Sequence, residues 1–555
     1  MKNKKIDELD AITILLFVAN LFLYEIGFCN LKTIVENGSY NFSLFRIIVY
    51  TTIIVLYIIF YKKISEEAKR ILPKKKKMII TYMVIILLCD IYLYFKIQHI
   101  YQFILITMAE INGLLFLLYV SKDYVKNIII TAMAAGSIFS IATDAFHNID
   151  EKKHFVSALN VSVGNFNYIN EALTDTTFNN IQFNTPMIDI AMEYFDKKCD
   201  LNLERIPQDE SIFSTPANYN FIVYLPSSIG MCLARFLGGS FADVFIAGRM
   251  GSILVYTIML IIMFKLLPFK KNLFYVIYMM PMVLTLASSY SADTMTLGFV
   301  GIFIAYIFKI SKEEINLKKF LIAVILYAPI LLCKGGSYFG IITLGLMLPI
   351  IKLFKQNKKI LFATIIIVAI ALTVGLTHGK QLFNNPDGDD RIEEASPLQQ
   401  VNYIKENPTH IAKVYEYFTK LSILNIKWYQ KLNIADFYGV NSIPIGTILI
   451  IYIIYVAITD ISYTFKFKEK IVLIFTYSVV VIITTAVLYF AYSKVGDIII
   501  NGYQVRYIIP ILPLLLGCIN STKISIKPDE KGYSDIAIVS GMLALADMLS
   551  MIITL

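Results

Sequence analysis

The stretch YKKISEEAKRILPKKKK, residues 61–77, places eight basic and two acidic side chains between two long apolar runs. Apolar runs of about 17–25 residues are long enough to cross a bilayer as helices, and Lys and Arg concentrate in the loops that stay on the cytoplasmic side. The stretch therefore predicts a cytoplasmic loop between two transmembrane helices. Similar basic loops are KLLPFKK (265–271), KISKEEINLKK (309–319), KLFKQNKK (352–359) and FKFKEK (465–470).

The overall composition predicts a polytopic membrane protein. Of 555 residues, 57% are hydrophobic and only 16% are charged, with a mean hydropathy of +0.65, which excludes an ordinary soluble domain. The net charge of +9 lies in loops between apolar runs, so it does not predict nucleic-acid binding. The first apolar run has no small-residue cleavage site after it, and we interpret it as a retained helix.

Placing every basic loop on one face gives about 15 transmembrane helices, with the N-terminus cytoplasmic and the C-terminus external. The predicted spans lie near 12–30, 44–61, 78–95, 99–120, 127–146, 241–264, 272–290, 292–310, 319–334, 338–353, 360–377, 444–460, 471–490, 506–520 and 535–554.

The stretch NYNFIVYLPSSIGMCLARFL, residues 218–237, is apolar but does not fit this alternation. If it crossed the membrane, the basic loop 265–271 would lie outside, against the positive-inside rule. It also contains a proline, two serines and an arginine. We therefore expect an interfacial or re-entrant helix on the external face.

This threading divides the all-α chain into three parts. Residues 1–126 form an N-terminal extension of four transmembrane helices, 127–520 form the core, and 521–555 form a cytoplasmic loop with the final transmembrane helix. The core carries two external loops, 146–217 and 378–443. The first is large and net acidic, with 11 acids against 5 bases; the second holds aromatic and aliphatic residues at roughly helical spacing, which predicts helices at the membrane surface.

Acidic side chains near membrane depth are candidates for function because they are costly there. Asp150 and Glu151 follow a predicted span directly, and His154 shares their face if the segment is helical. They are either a polar helix end or a general base and metal ligands, with the histidine orienting a carboxylate. Asp293 lies in a short hairpin between two external span ends. It is either a turn residue or a second carboxylate at the same site.

Three cations are predicted on the same face. Arg249, Lys334 and Arg506 each lie near an external span end. Each is either an interface anchor or part of a groove that binds a lipid phosphate. The sequence contains no phosphate-binding glycine loop, GxSxG or HExxH, so it does not predict nucleotide-dependent chemistry by a standard motif.

Five stretches, in order, resemble the bacterial membrane family known as domain of unknown function 2142. They are NIDEKKHFVSALNVSVGNF (148–166), STPANYNFIVYLPSSIGMCLARFLGG (214–239), VFIAGRM (244–250), MMPMVLTLASSYSADTMTLGF (279–299) and NGYQVRYIIPILPLL (501–515). The last resembles the family's Gln-Gly-Arg-Tyr signature, with Val505 in the place of its glycine.

That family is similar to the GT-C glycosyltransferases, which take a sugar from a polyprenyl-phosphate lipid at the outer face. The resemblance implies an inverting transferase with Asp150 as the general base, Glu151 as its neighbour or a metal ligand, and His154 orienting them. It implies that Arg506, with Arg249 or Lys334, holds the lipid phosphate. The substrate-binding residues would be Asp293, Arg249, Lys334, Gln504, Arg506 and Tyr507.

The resemblance also implies partners and a location. The donor would be a polyprenyl-phosphate-linked sugar, and the acceptor a glycan or glycolipid at the surface of the bacterial cell membrane. A divalent cation would bind, if at all, at Asp150, Glu151 and Asp293. Two other functions remain open: a transporter or flippase for lipid-linked sugars, and a non-enzymatic component of a polysaccharide assembly complex.

Overall fold

The computed structural model describes residues 8–30, 43–95, 97, 99–148, 150–195, 197–206, 216–334, 337–349, 353–355, 357–384, 392, 394–433, 443–519 and 531–554. Parts of both predicted external loops (207–215, 385–391 and 434–442) and most of the predicted cytoplasmic loop after 520 lie outside these residues.

Helices account for nearly all of the regular structure. The α-helices are Glu8–Phe22, Leu44–Tyr94, Ile100–Tyr119, Tyr124–Thr131, Ser137–Ala142, Glu151–Ser162, Thr176–Asn180, Met187–Tyr194, Leu225–Phe236, Phe241–Leu266, Lys271–Tyr278, Pro281–Ala287, Asp293–Ile310, Leu317–Leu332, Lys358–Asn384, Pro397–Glu406, His410–Phe418, Ile426–Tyr429, Ile443–Thr459, Phe467–Ala491, Leu512–Leu516 and Asp535–Thr554. The π-helices are Leu23–Cys29, Ala132–Gly136 and Thr419–Ile423, and the 3₁₀ helices are Phe221–Tyr224, Phe339–Met347, Gln430–Leu432, Val505–Tyr507 and Ile509–Ile511. Two short strands, Leu173–Asp175 and Leu203–Arg205, pair antiparallel in the first external loop.

Eight helices in the described part of the chain are long and apolar enough to cross a membrane. They are Asp10–Cys29, Ala68–Tyr94, Ile100–Tyr119, Tyr124–Ala142, Phe241–Leu266, Asp293–Ile310, Phe467–Ala491 and Asp535–Ile553. Four shorter apolar helices accompany them. The protein is therefore a helical, multi-pass membrane protein, while the predicted total of about 15 spans remains a prediction.

The basic stretch 61–77, predicted as a loop between two spans, is helical. The helix Leu44–Tyr94 continues through it, with Pro73 inside. Arg46 contacts Glu25 at one end of this helix, and Ser65 contacts Asp10. Beyond the proline, Lys75 binds the carbonyl of Val120 and Tyr82 binds that of Glu110.

These contacts show that the chain reverses direction within the basic stretch. Glu25 and Asp10 lie at opposite ends of the first helical segment, and Gly27 packs on Ile104. Both ends of Leu44–Tyr94 therefore lie at the same end of the bundle. Proline lacks the backbone N–H that an interior helix position needs, which favours a bend.

Three other predicted spans are irregular. The span predicted at 272–290 is two short helices, Lys271–Tyr278 and Pro281–Ala287, because Pro281 starts a new helix. The predicted spans 338–353 and 506–520 contain 3₁₀ helices instead of continuous α-helix. Hydropathy detects apolar character but not these local backbone changes, and the crossing of the membrane by these three stretches remains a prediction.

Three of the basic loops, 265–271, 309–319 and 465–470, lie together at one end of the bundle. The backbone N–H of Lys270 donates to Ser462 at 2.8 Å, and Lys312 pairs with Glu469 at 2.7 Å. Helix Phe241–Leu266 connects this end to the opposite end, where its first turns lie. This grouping agrees with the alternation of cytoplasmic and external loops predicted from the charges.

The segment 218–237 forms a helical hairpin with the span that follows it. Helix Leu225–Phe236 packs so closely on Phe241–Leu266 that a Cβ at Gly230 would lie 2.1 Å from the carbonyl oxygen of Ala247. Only glycine permits this approach of two backbones. The hairpin fixes the first turns of Phe241–Leu266 beside the first external loop.

Candidate active site

Four separate parts of the chain meet at the end of the bundle opposite the basic loops. Helix Glu151–Ser162 begins there, preceded by Asp150 with φ +60°, a conformation that Asp and Asn tolerate better than most residues. Asp293 begins the next helix of the site. Lys334 follows the end of helix Leu317–Leu332, and Arg506 lies in the 3₁₀ helix Val505–Tyr507.

Glu151 and Arg249 form a fully buried ion pair. The guanidinium Nε and Nη2 lie 3.0 Å from the two carboxylate oxygens, and the backbone N–H of Tyr290 donates to Glu151 at 3.1 Å. Arg249 also donates to the carbonyls of Ser140, Thr143 and Asp144. Each donor nitrogen of the guanidinium is thereby engaged, as burial of a charge requires.

This pair corrects two predicted roles. Arg249 has no donor left for a lipid phosphate, because its bonds tie the end of the preceding helix to Glu151. Glu151 has both oxygens engaged by Arg249, so it does not fit a metal ligand. The pair joins three elements of the site.

Asp293 is held by the other two predicted cations. Its Oδ1 pairs with Lys334, and its Oδ2 lies 3.2 Å from Nη1 of Arg506. All three side chains are buried. The Lys334 ammonium also lies 4.4 Å from the centre of the Tyr507 ring, a cation–π distance.

Arg506 has hydrogen-bonding capacity that the described residues do not fill. Its Nε and Nη1 are buried and make no hydrogen bond, although Nη1 is near Asp293. The buried Oε1 of the neighbouring Gln504 is likewise unsatisfied. Since unsatisfied buried donors on a charged group are costly, Arg506 is suited to an anionic ligand with oxygen acceptors.

Asp150 and His154 face this cation pair. Asp150 interacts electrostatically with both His154 and Arg506, and His154 also interacts with Asp293 and Lys334. The structure thus brings together Asp150, His154, Asp293, Lys334 and Arg506, from positions up to 356 residues apart. It places the Glu151–Arg249 pair behind them.

Two tyrosines that sequence reasoning missed hold His154. Its Nδ1 lies 2.7 Å from the hydroxyl of Tyr224, and its ring stacks on Tyr219 with centroids 5.8 Å apart. Both tyrosines belong to the stretch 214–239 that carries the resemblance, but no spacing rule singles them out. Tyr219 also interacts with Tyr507 and Asp293, so it forms part of the site wall.

Burial lowers the pKa of His154 to about 4, with the nearby acids opposing and the nearby cations assisting this shift. The folded protein therefore keeps His154 neutral between about pH 4 and 6.5, while the unfolded chain becomes protonated there. The contribution of neutral His154 to the free energy of unfolding is therefore complete above about pH 6.5 and decreases as the pH falls toward 4. This loss is about 2 kcal/mol at pH 5.

We expect wild-type protein to show a lower unfolding temperature at pH 5 than at pH 7, and His154→Gln to show a smaller difference. Thermal unfolding in detergent at both pH values measures this. His147→Gln is the matched control, since that histidine lies nearby in the same loop but is bonded to Asn184 instead of the site. An equal pH effect in wild type and His154→Gln would contradict the assignment.

The predicted metal site does not fit the observed carboxylates. Glu151 is engaged by Arg249, and Asp293 is engaged by Lys334 and Arg506. Within the described residues there is no group of three or more His, Cys, Asp or Glu side chains placed to hold a metal ion. We therefore derive no step through a divalent cation.

The family model described as "Predicted membrane protein (DUF2142)" matches residues 133–515, more than half of the chain. The chain belongs to the DUF2142 family. This confirms the membership predicted from five stretches of sequence. The matched range contains each residue of the site, from Asp150 to Arg506, and leaves the first helices outside. No curated protein and no solved structure matches the chain.

The N-terminal helices outside the DUF2142 match are attached to it by buried charges. Arg46 lies 2.6 Å from Glu25 within the N-terminal extension and 3.7 Å from Asp243 at the start of Phe241–Leu266. Asp243 in turn caps its helix with Ser240. The extension therefore packs directly on the helix that carries Arg249.

Proposed function

We propose that this DUF2142 protein transfers a sugar from a polyprenyl-phosphate donor to a surface glycan or glycolipid acceptor. The proposal includes a GT-C-like arrangement of the core and an active site at the outer face of the bacterial cell membrane. In this orientation the basic loops and the N-terminus are cytoplasmic, as the positive-inside rule favours.

The observation that carries the proposal is the meeting of Asp150 with Lys334 and Arg506. The Asp150 carboxylate interacts electrostatically with Arg506, which shares Asp293 with the second buried cation, Lys334, and has donors that the described residues do not fill. Sugar transfer from a lipid phosphate needs both a base and fixed positive charge at one site. The base activates the acceptor, and fixed positive charge stabilises the phosphate as its charge grows.

In the proposed step, Asp150 takes the proton of the acceptor hydroxyl while that oxygen bonds to the anomeric carbon. The bond from this carbon to the phosphate oxygen breaks, and its electron pair leaves with polyprenyl phosphate. Single displacement inverts the anomeric centre. Arg506 and Lys334 bind the departing phosphate, and Asp293 holds both cations in place.

Neutral His154 interacts with Asp150 and with the cations Lys334 and Arg506. Its tyrosine contacts fix the ring, so it orients the acceptor-side carboxylate without adding a charge. Asp293 and Glu151 are poor bases because positive charge lies beside both oxygens of each carboxylate, from Lys334 and Arg506 at Asp293 and from Arg249 at Glu151. We propose Asp150, which interacts electrostatically with Arg506, as the base.

The experiment must separate transfer from transport, since a flippase also binds lipid-linked sugars. Lipids are extracted from cells lacking the gene, which would accumulate the donor, and are incubated with purified protein in liposomes. We expect release of polyprenyl phosphate with wild type and at least about a hundredfold slower release with Arg506→Gln. Arg205→Gln, an exposed arginine of the first external loop, is the matched control.

A transporter would move the lipid but leave the sugar–phosphate bond intact. An assembly component would show neither effect. Recovery of only intact donor after incubation with folded wild-type protein and with an acceptor-containing membrane fraction would therefore overturn the proposed transfer.

A further inference from the structure

The segment His410–Leu432 exposes several large aliphatic side chains. Leu421, Leu424 and Ile426 are 44%, 75% and 58% exposed. The neighbouring Lys420 and Lys427 are exposed as well. Such a surface is unfavourable in water but typical of a segment that inserts into the edge of a bilayer, with lysines reaching its polar surface.

The segment packs along the apolar helix Phe467–Ala491. His410 lies 3.1 Å from the hydroxyl of Tyr489, close to the end of helix Phe467–Ala491. Tyr415 donates to the carbonyl of Ile482 at 3.2 Å, nine residues before that end. At 1.5 Å per residue, Ile482 lies about 14 Å below the helix end. The segment therefore descends along the span as it runs from His410.

The end of the segment, near Gln430, lies against the apolar helix Ile443–Thr459. A Cβ at Gly446 would lie 2.2 Å from the carbonyl oxygen of Gln430, so the chain passes directly over the first turn of Ile443–Thr459. Between the descent at Tyr415 and this contact lie the exposed aliphatic residues.

We infer that His410–Leu432 is a re-entrant segment in the leaflet on the Ala491 side, with hydrocarbon chains covering Leu421, Leu424 and Ile426. We infer further, resting on the proposed function, that the polyprenyl chain of the donor lies along this segment. Its buried side connects to the cation pair through aromatic rings.

Those rings form a continuous series. Trp428 stacks on Tyr503 with centroids 5.9 Å apart and planes 11° from parallel, and Tyr503 contacts Tyr507 at 5.6 Å. Tyr507 lies under the Lys334 ammonium. A phosphate at Arg506 would thus have an apolar, aromatic path for its lipid chain from the charged site into the leaflet.

Trp428 is the only tryptophan in the chain, so its fluorescence reports on this segment alone. The full-length protein is reconstituted in phosphatidylethanolamine–phosphatidylglycerol vesicles with or without brominated acyl chains. We expect bromination to quench Trp428 and aqueous acrylamide to have little effect. Strong acrylamide quenching without quenching by brominated lipid would overturn the re-entrant placement.

A charged substitution tests the exposed face itself. Leu424→Asp should increase acrylamide quenching of Trp428, because burying a carboxylate among lipid chains is costly. The matched control is Leu398→Asp, since Leu398 is also half-exposed but belongs to helix Pro397–Glu406, which packs beside Gly496 beyond the end of the span. Equal effects of the two substitutions would also count against the inference.

A separate measurement tests the donor path, that is, whether the polyprenyl chain lies along His410–Leu432. Adding a polyprenyl monophosphate to wild-type vesicles should change Trp428 emission saturably, and Arg506→Gln should lose this response. Lipid quenching without any response to polyprenyl monophosphate would overturn the donor path and leave the re-entrant placement standing. A response without sugar release in the transfer assay would overturn only the proposed transfer.

Discussion

Glu151→Gln is expected to destabilise the folded protein by about 3–5 kcal/mol, because it leaves the fully buried Arg249 without a counter-charge. The guanidinium would keep its three carbonyl partners but lose both charged bonds. The amide also cannot accept at both of its ends. The unfolding temperature in detergent and the yield of folded protein measure this effect.

Asp189→Asn is the matched control for the loss of an acid in the first external loop, since Asp189 is exposed and should tolerate the change.

A second comparison removes both charges. Glu151→Leu with Arg249→Met should be more stable than Glu151→Gln, because no unpaired charge remains in the interior. A Glu151→Gln protein as stable as wild type would show that the pair does not hold the site together.

The general architecture is predictable because hydropathy and the positive-inside rule act over long stretches of chain. The span predicted at 241–264 lies within Phe241–Leu266. The contacts between the 265–271, 309–319 and 465–470 loops follow from the same reasoning. The failures are local. A proline restarts a helix at Pro281, and backbone hydrogen bonding continues through 61–77. Average hydropathy predicts neither the new helix at Pro281 nor the continuous helix through 61–77.

The members of the site are more predictable than their roles. Ionisable residues at membrane depth are rare enough to single out Asp150, Asp293, Lys334 and Arg506 from sequence. Which cation pairs with which acid depends on helix packing in three dimensions. Arg249 and Lys334 therefore look equivalent in the sequence, although one is fully engaged with Glu151 and the other pairs with Asp293.

Asp150→Asn is expected to slow sugar transfer at least about a hundredfold, which is the usual contribution of a general base. Asparagine keeps the shape of the side chain and also tolerates the left-handed backbone at this position. The fold should therefore survive while the proton acceptor is lost. Release of polyprenyl phosphate from the accumulated donor lipids measures the rate.

Binding and transfer should respond in opposite directions in this variant. Asp150 interacts electrostatically with Arg506, so removing its negative charge leaves the cation pair more positive toward a lipid phosphate. We expect the Trp428 response to polyprenyl monophosphate to persist or to occur at lower concentrations, while transfer is lost. Asp200, an exposed acid of the same external loop, provides the matched control, and Asp200→Asn should leave both measurements unchanged. Full transfer activity in Asp150→Asn would remove this acid from the mechanism, since a group that only binds or positions lipid has no need to accept the proton.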